Sequence, residues 1–306
     1  MQSESKKLMS AARSKIKMTV GEKIFACFNA LFMLFMVFVC IYPMLYVLFA
    51  SLSSSTKLMA HRGPLYKPLG FTFNSYIMVL KYPMVLSSYG NTIFIVLAGV
   101  SVSMVLTILG GYFLSRKNVI FQKPIMIMIV ITMFFGGGLI PFYLTVRAYG
   151  FDNSYMALII PGAVSTFNMM IMRTGFMGIP SSLEESVEID GGGPLTALVK
   201  VCVPLVIPTL AVLTLYYAVD RWNAWFYASV FLRDRNKYPL QLVLREILIS
   251  NDTNIMTMGS NAADVESIAE TAKYAVIVIA TLPILCLYPF LQKYFVKGIM
   301  IGSVKG

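Results

Sequence analysis

The sequence predicts an all-α polytopic membrane protein with six transmembrane helices, and three observations predict it. The chain has 306 residues, of which 58% are hydrophobic and 13% charged; soluble domains carry roughly 25% charged residues. Its mean hydropathy is +0.74. Six runs without Asp, Glu, Lys or Arg occupy 24–50, 89–115, 124–146, 153–172, 201–219 and 274–292. Each approaches or exceeds the ~20 residues that carry a helix across a hydrocarbon core of roughly 30 Å. The runs are continuously apolar rather than alternating, which favours helices over a barrel. This composition excludes an ordinary soluble enzyme and a disordered or collagen-like chain.

The first run, 24–50, is too long for the apolar part of a signal peptide, and no small-residue cleavage site closes it, so it is read as a retained helix. An even number of spans puts both termini on one side. Segments 1–23, 116–123, 173–200 and 293–306 hold 14 Lys and Arg, against 10 in 51–88, 147–152 and 233–273. Basic short loops mark the cytoplasmic side, so both termini are expected in the cytoplasm. The net charge of +11 then reads as cationic loops on a membrane protein, not as nucleic-acid binding. The four cysteines, Cys27, Cys40, Cys202 and Cys286, lie in or beside apolar runs and read as small hydrophobes, not as a disulfide framework.

The most informative polar stretch lies between the fourth and fifth runs, at 180–208. Glu184, Glu185, Glu188 and Asp190, four of the chain's 14 acids, fall within seven residues. Ser182 is expected to N-cap a helix, with Glu185 closing a capping box. Leu183, Val187 and Ile189 give that helix an apolar side. Gly191 supplies the left-handed residue that ends it, and Pro194 suits the first turn of a second helix. Pro204 and Pro208 lack amide donors and are expected to kink or interrupt the start of the fifth span. Physics alone leaves two readings of this segment: a surface connector, or a docking element for a cytoplasmic partner.

These residues resemble a known family. Glu185-Ser186-Val187, then Asp190-Gly191, then Pro204 look like the EAA loop of ABC importer permeases. The stretch 179–185 and the closing Tyr294-Phe295-Val296-Lys297-Gly298 and Gly302-Ser303-Val304-Lys305-Gly306 resemble the MalG-like permeases of carbohydrate importers. Phe135-Gly136-Gly137-Gly138-Leu139-Ile140-Pro141 and the stretch 238–246 resemble a branch that handles complex oligosaccharides, including pectin-derived and host-glycan sugars. Ser186-Val187 stand where the family has Ala-Ala, and Gly192 where it has Ala. Both changes keep small or apolar residues and are expected to matter little.

The resemblance implies the six-helix type I ABC importer (MetI/MalG-like) transmembrane fold over 24–300, flanked by a cytoplasmic segment 1–23 and a tail 301–306. It implies a permease subunit of a bacterial cell-membrane importer that moves oligosaccharides delivered by an extracellular binding protein. Its partners would be a second permease in a heterodimer and two copies of an ABC ATPase subunit, which hold the ATP and Mg; no cofactor is implied on this chain. Glu184, Glu185, Ser186, Val187, Asp190 and Gly191 would form the coupling helix that sits in the ATPase cleft, with Glu185 pairing with an ATPase arginine. The tail would reach along the ATPase interface.

The fifth run continues into Asp220-Arg221-Trp222-Asn223. Charges at membrane depth cost roughly 2.5–3.5 kcal/mol each on insertion scales, so Asp220 and Arg221 need a wet cavity or partners. Neighbouring residues point about 100° apart on a helix, so the two do not simply pair. Asp220, Arg221, Trp222 and Asn223 suit a sugar pathway, with aromatic faces beside hydrogen-bonding groups; against this, tryptophans anchor at interfaces and arginines snorkel. Asn91 and Asn168 are read as interhelical hydrogen-bonders, and Gly99, Gly110 and Gly111 as close-packing points. The 51–88 segment, rich in turn signals and without an acid, reads as a solvated loop or a binding-protein contact. An amphipathic helix is expected at Leu240–Ile249.

No G-x-x-x-x-G-K-[ST] occurs, and the one histidine, His61, has no ligand set around it, so neither an ATP site nor a metal site is expected on this chain. The competing class is an ATPase-independent secondary transporter of a small polar solute. It should show internal repeats and a broken-helix acid; no clear repeat is visible, and Asp220 is the one acid within the spans.

Overall fold

The computed structural model describes residues 19–116, 119–249, 271–286 and 289. The regular structure among the described residues is all helical, in a bundle arranged around one long central helix.

Helix α1, Val20–Ser51, opens with a capping box in which Glu22 N donates to Thr19 Oγ1 (3.3 Å) and Thr19 N to Glu22 Oε2 (2.7 Å). Its apolar side chains remain exposed along nearly its whole length, with Ala50 and Ser51 the buried residues. A helix apolar on every side requires a non-aqueous surround. The following segment, expected as a solvated loop or a binding-protein contact, is largely exposed but carries two short helices, Ser55–Ala60 and Asn74–Lys81, and internal bonds. Ser54 N bonds to Leu69 O, Thr72 N to Leu52 O, and Leu69 N to Ser53 Oγ, while buried Leu65 donates its amide to Tyr42 of α1. These bonds fold the segment back onto the end of α1.

Helix α2, Pro83–Ser115, is the hub. Its buried residues are Val85, Ser88, Thr92, Ile95, Gly99, Ser103, Thr107, Gly111 and Leu114. They recur every three or four residues and so line one face. Most are small, which lets the neighbouring helices approach the backbone. The expected span 89–115 is extended by Pro83 in the first helical turn, where a missing amide costs nothing.

The third expected span, 124–146, is broken. Helix α3, Gln122–Phe134, and helix α4, Leu139–Ala148, meet at 118°. Three consecutive glycines separate them, each disfavouring helix by about 1 kcal/mol relative to alanine, and Gly138 takes φ +82°. The fourth expected span, 153–172, is also not continuous. A single turn, Met156–Ile159, gives way at Pro161-Gly162, and helix α5, Thr166–Met177, starts afresh from a Ser165 cap. Helices α6, Ser182–Ile189, and α7, Pro194–Leu205, follow, then α8, Ile207–Asn223. The bend between α7 and α8 is 84°. The expected effect of the prolines is seen there: Pro208 lies in the first turn of α8, and a π-helical stretch, Leu198–Cys202, precedes Pro204.

Helices α9, Phe226–Phe231, α10, Leu240–Ile249, and α11, Thr271–Cys286, complete the described bundle. The far end of the sixth expected span and the 293–306 tail lie outside the described residues. Among the described residues two helices are long and apolar enough to cross a membrane, or up to four if each bent pair is one span. Helix α2 packs against both α5 and α8. One buried cluster joins α2, α10 and α11 around Trp222; another joins α5, α7 and α8 around Met172, Phe176, Cys202 and Leu213.

Candidate functional site

Two groups of residues singled out by the sequence come together in the fold: the helix–glycine–helix segment at one end of α2, and a cavity beside its middle.

In the first, α6 starts one residue earlier than expected. Its N-cap is Ser181 in helical conformation (φ −61°, ψ −30°), and no side-chain cap bond forms. The Ser182–Glu185 capping box is therefore absent. The acid that turns inward is Glu184. Its side chain is paired with Arg116 just beyond the end of α2, accepts a 3.4 Å bond from Tyr112, and receives the Cys202 thiol of α7 at 3.4 Å. The Arg116 guanidinium also lies 4.5 Å over the Tyr112 ring. Glu185, Ser186, Glu188 and Asp190 are exposed. The apolar side is less uniform than the pattern suggested: Val187 is half-buried, whereas Ile189 is 85% exposed. With exposed Leu195 and Val199 of α7, Ile189 gives the segment a mixed acidic and apolar outer surface.

Gly191 ends α6 at φ +78°, as expected. Gly192 N bonds to Val187 O and Gly191 N to Glu188 O, the paired bonds of a Schellman cap. A Cβ on Gly192 would stand 2.5 Å from Val187 Cγ1 and 3.0 Å from Val187 O. Val187 and Gly192 are thus coupled: the valine side chain occupies the space that an alanine at 192 would need.

The second group surrounds a cavity of about 250 Å³ whose walls include Thr92, Phe142, Gly162, Asp220, Arg221 and Tyr227. Arg221 is 6% exposed. Nη1 donates to Leu158 O (3.0 Å), and Nη2 to Ser103 Oγ (2.7 Å), Gly162 O (3.2 Å) and Ile159 O (3.5 Å). Leu158 O and Ile159 O end the Met156–Ile159 turn and Gly162 O lies just beyond its break, so the guanidinium supplies donors where helical amides are missing. Among the described residues none of these bonds goes to a carboxylate, and Nε has no partner. The side chain fits because Gly99 has none: a Cβ there would stand 2.6 Å from Arg221 Nε.

Of the four expected pathway residues, Asp220 and Arg221 line the cavity and two do not. Trp222 is buried, packs edge-on to Tyr89, and donates its indole N–H to Ala280 O of α11 (3.1 Å). Asn223 is exposed and bonds back to Val219 O of its own helix (2.9 Å). Asn91 is an interhelical hydrogen-bonder as expected, donating to Asn236 O and Tyr238 O and accepting from Tyr155. Gly110 and Gly111 admit Met169 and Met172 of α5. Thr92 in the cavity wall, and Ser103 and Gly99 against the Arg221 side chain, were not singled out for this site; their shared face on α2 was the signal available.

An all-helical bundle with broken spans around a cavity, and a polar helix–glycine–helix projecting from it, defines a membrane transport permease. The chain belongs to the carbohydrate ABC transporter permeases, the binding-protein-dependent inner-membrane component. It is 39% identical over 278 residues to the polygalacturonan/rhamnogalacturonan transport system permease protein YtcP of Bacillus subtilis, covering 90% of this chain and 96% of that one. It is 25% identical to the arabinooligosaccharides transport system permease protein AraQ of Halalkalibacterium halodurans, over 89% of this chain and 94% of that one. The crystal structure of a bacterial ABC transporter involved in the import of the acidic polysaccharide alginate contains a chain with TM-score 0.83 and 32% identity, covering 91% of this chain and 99% of that one. No family model matches the chain. The chain is thus a multi-pass membrane permease subunit without an ATPase of its own.

Proposed function

We propose that this permease imports oligosaccharides handed to it by an extracellular binding protein, working with a second permease subunit and driven by two copies of a separate ABC ATPase that hold ATP and Mg. It sits in a bacterial cell membrane with both termini cytoplasmic. The observation that carries the reading is the likeness, along 91% of the chain, to a subunit of the alginate importer. The relatives named for polygalacturonan and arabino-oligosaccharides support a sugar polymer fragment as the solute. In this reading α6 is the coupling helix. Its exposed Glu185, Ser186 and Asp190 meet the ATPase, Gly191 allows the turn, and Glu184 and Val187 seat the helix on the bundle.

The cavity supplies the solute path, with Asp220 and Arg221 in its wall. The wall carries one carboxylate and one guanidinium, groups suited to hydrogen-bonding sugar hydroxyls. Uptake of labelled trigalacturonate, arabinotriose and raffinose, compared between cells with and without the gene, tests the proposal. Deletion should abolish uptake of at least one of the three, and restoring the chain should return it. Unchanged uptake of all three would overturn the assignment.

A further inference from the structure

We propose that the Arg116–Glu184 pair is the joint through which movement of α6 is passed to α2, so that these two residues, outside the acidic face offered to the ATPase, set the coupling of the importer. The inference rests on the reading of α6 as the coupling helix.

Three side chains converge on the Glu184 carboxylate: Arg116 and Tyr112 at the end of α2, and Cys202 from α7. Arg116 is itself fixed, since Nε donates to Ser115 Oγ (3.1 Å) and the guanidinium lies on the Tyr112 ring. The Tyr112 hydroxyl also reaches Pro194 O at the start of α7 (3.4 Å). The pair is only 23% and 14% exposed. An exposed ion pair yields readily to water and salt, but a part-buried, charge-assisted one resists separation because parting strands two desolvated charges. Displacing α6 therefore pulls on the end of α2 and does not slip over it.

From that end α2 is locked to its neighbours at successive turns. Gly111 and Gly110 lie against Met172 and Met169 of α5. Thr107 shares a 2.7 Å hydrogen bond with Tyr217 of α8, and Ser103 and Gly99 hold Arg221 at the cavity. A displacement at Glu184 thus has a continuous packed route to the cavity wall, through contacts that are close-packed and resist compression.

The test uses the complete importer in proteoliposomes, with exposed Cys27, Cys40 and Cys286 replaced by serine and Tyr227→Cys as a reporter in the cavity wall. The readout is the rate at which a membrane-impermeant maleimide labels the reporter, with and without ATP plus vanadate. In the otherwise unchanged chain the rate should differ between the two conditions. Glu184→Gln and Arg116→Gln should each co-purify with the ATPase yet lose that difference, and the exchange Glu184→Arg with Arg116→Glu should regain it. Retention of the difference in both single variants would overturn the joint. Loss of ATPase co-purification in the single variants would overturn it too, by making Glu184 a docking or folding residue. Glu185→Lys is the separate control: if it leaves ATPase assembly and the labelling response intact, the coupling-helix reading itself fails.

Discussion

Replacing Arg221 by alanine is expected to lower the thermal stability of the purified permease and to abolish transport, and replacing Gly99 by alanine is expected to do nearly the same. The side chain is the donor to three backbone carbonyls, Leu158, Ile159 and Gly162, and to Ser103. Those carbonyls lie at and just beyond the end of the Met156–Ile159 turn, where the helix does not continue, and an unsatisfied buried polar group costs about 1–3 kcal/mol. Removing the arginine relieves the cost of burying its charge, but it leaves several acceptors unpaired, and the acceptors outnumber the charge. Water entering from the adjoining cavity recovers part of the loss, so a net cost of about 2–4 kcal/mol is expected. Gly99→Ala acts on the same group from the other side, because its Cβ would stand 2.6–2.7 Å from Nε, Cδ and Cζ. Arg221→Lys should be intermediate, since one ammonium cannot span the acceptors a guanidinium fork reaches. The double variant Gly99→Ala with Arg221→Ala should be little worse than either single one. Thermal unfolding in detergent measures this; additive losses would show that the two positions act independently.

Gly192→Ala should disable the segment between α6 and α7, and Val187→Ala should repair it. The added methyl would collide with Val187 Cγ1 at 2.5 Å and press on Val187 O at 3.0 Å. The second contact, tight but not prohibitive, is with the carbonyl that receives the Gly192 amide in the Schellman cap, so the turn has little freedom to carry the methyl away from the valine branch. Overpacking of this kind costs typically 1–3 kcal/mol, and here it falls on the geometry that presents the acidic face. Removing the valine branches restores the room. Co-purification with the ATPase subunit should therefore fall in Gly192→Ala and return in the double variant. Equal loss in both would mean that the strain lies in the backbone and not against Val187.

Much of this was legible in the sequence where a single residue fixes a local outcome. Gly191 as a left-handed terminator, Pro194 as a helix starter and the interruption at Pro208 follow from backbone chemistry alone. The spans were less legible where glycine and proline compete with apolar composition. Hydropathy reads 124–146 and 153–172 as continuous, but Gly136 to Gly138 and Pro161-Gly162 break them, and carbonyls at the second break are bonded by the distant Arg221. The sequence marks Arg221 as costly without naming its partners, which lie some sixty positions earlier. The capping pattern at Ser182 failed for a related reason. Ser181 enters the helix, and the cluster's inward acid is decided by the Arg116 guanidinium, not by spacing within α6. Trp222 and Asn223 follow Arg221 directly, yet each points elsewhere because successive residues leave a helix in different directions.

With Glu184 held by Arg116, α6 and the end of α2 should move as one body when the ATPase closes. Spin labels at Ile189 on α6 and Phe113 on α2, both exposed positions, with exposed Cys27, Cys40 and Cys286 replaced, allow the distance to be measured by pulsed electron spin resonance in the complete importer. The account predicts the same distance distribution with and without ATP plus vanadate, while a pair at Ile189 and Tyr149, in the turn after α4, changes. A shift between Ile189 and Phe113 as large as that between Ile189 and Tyr149 would contradict it.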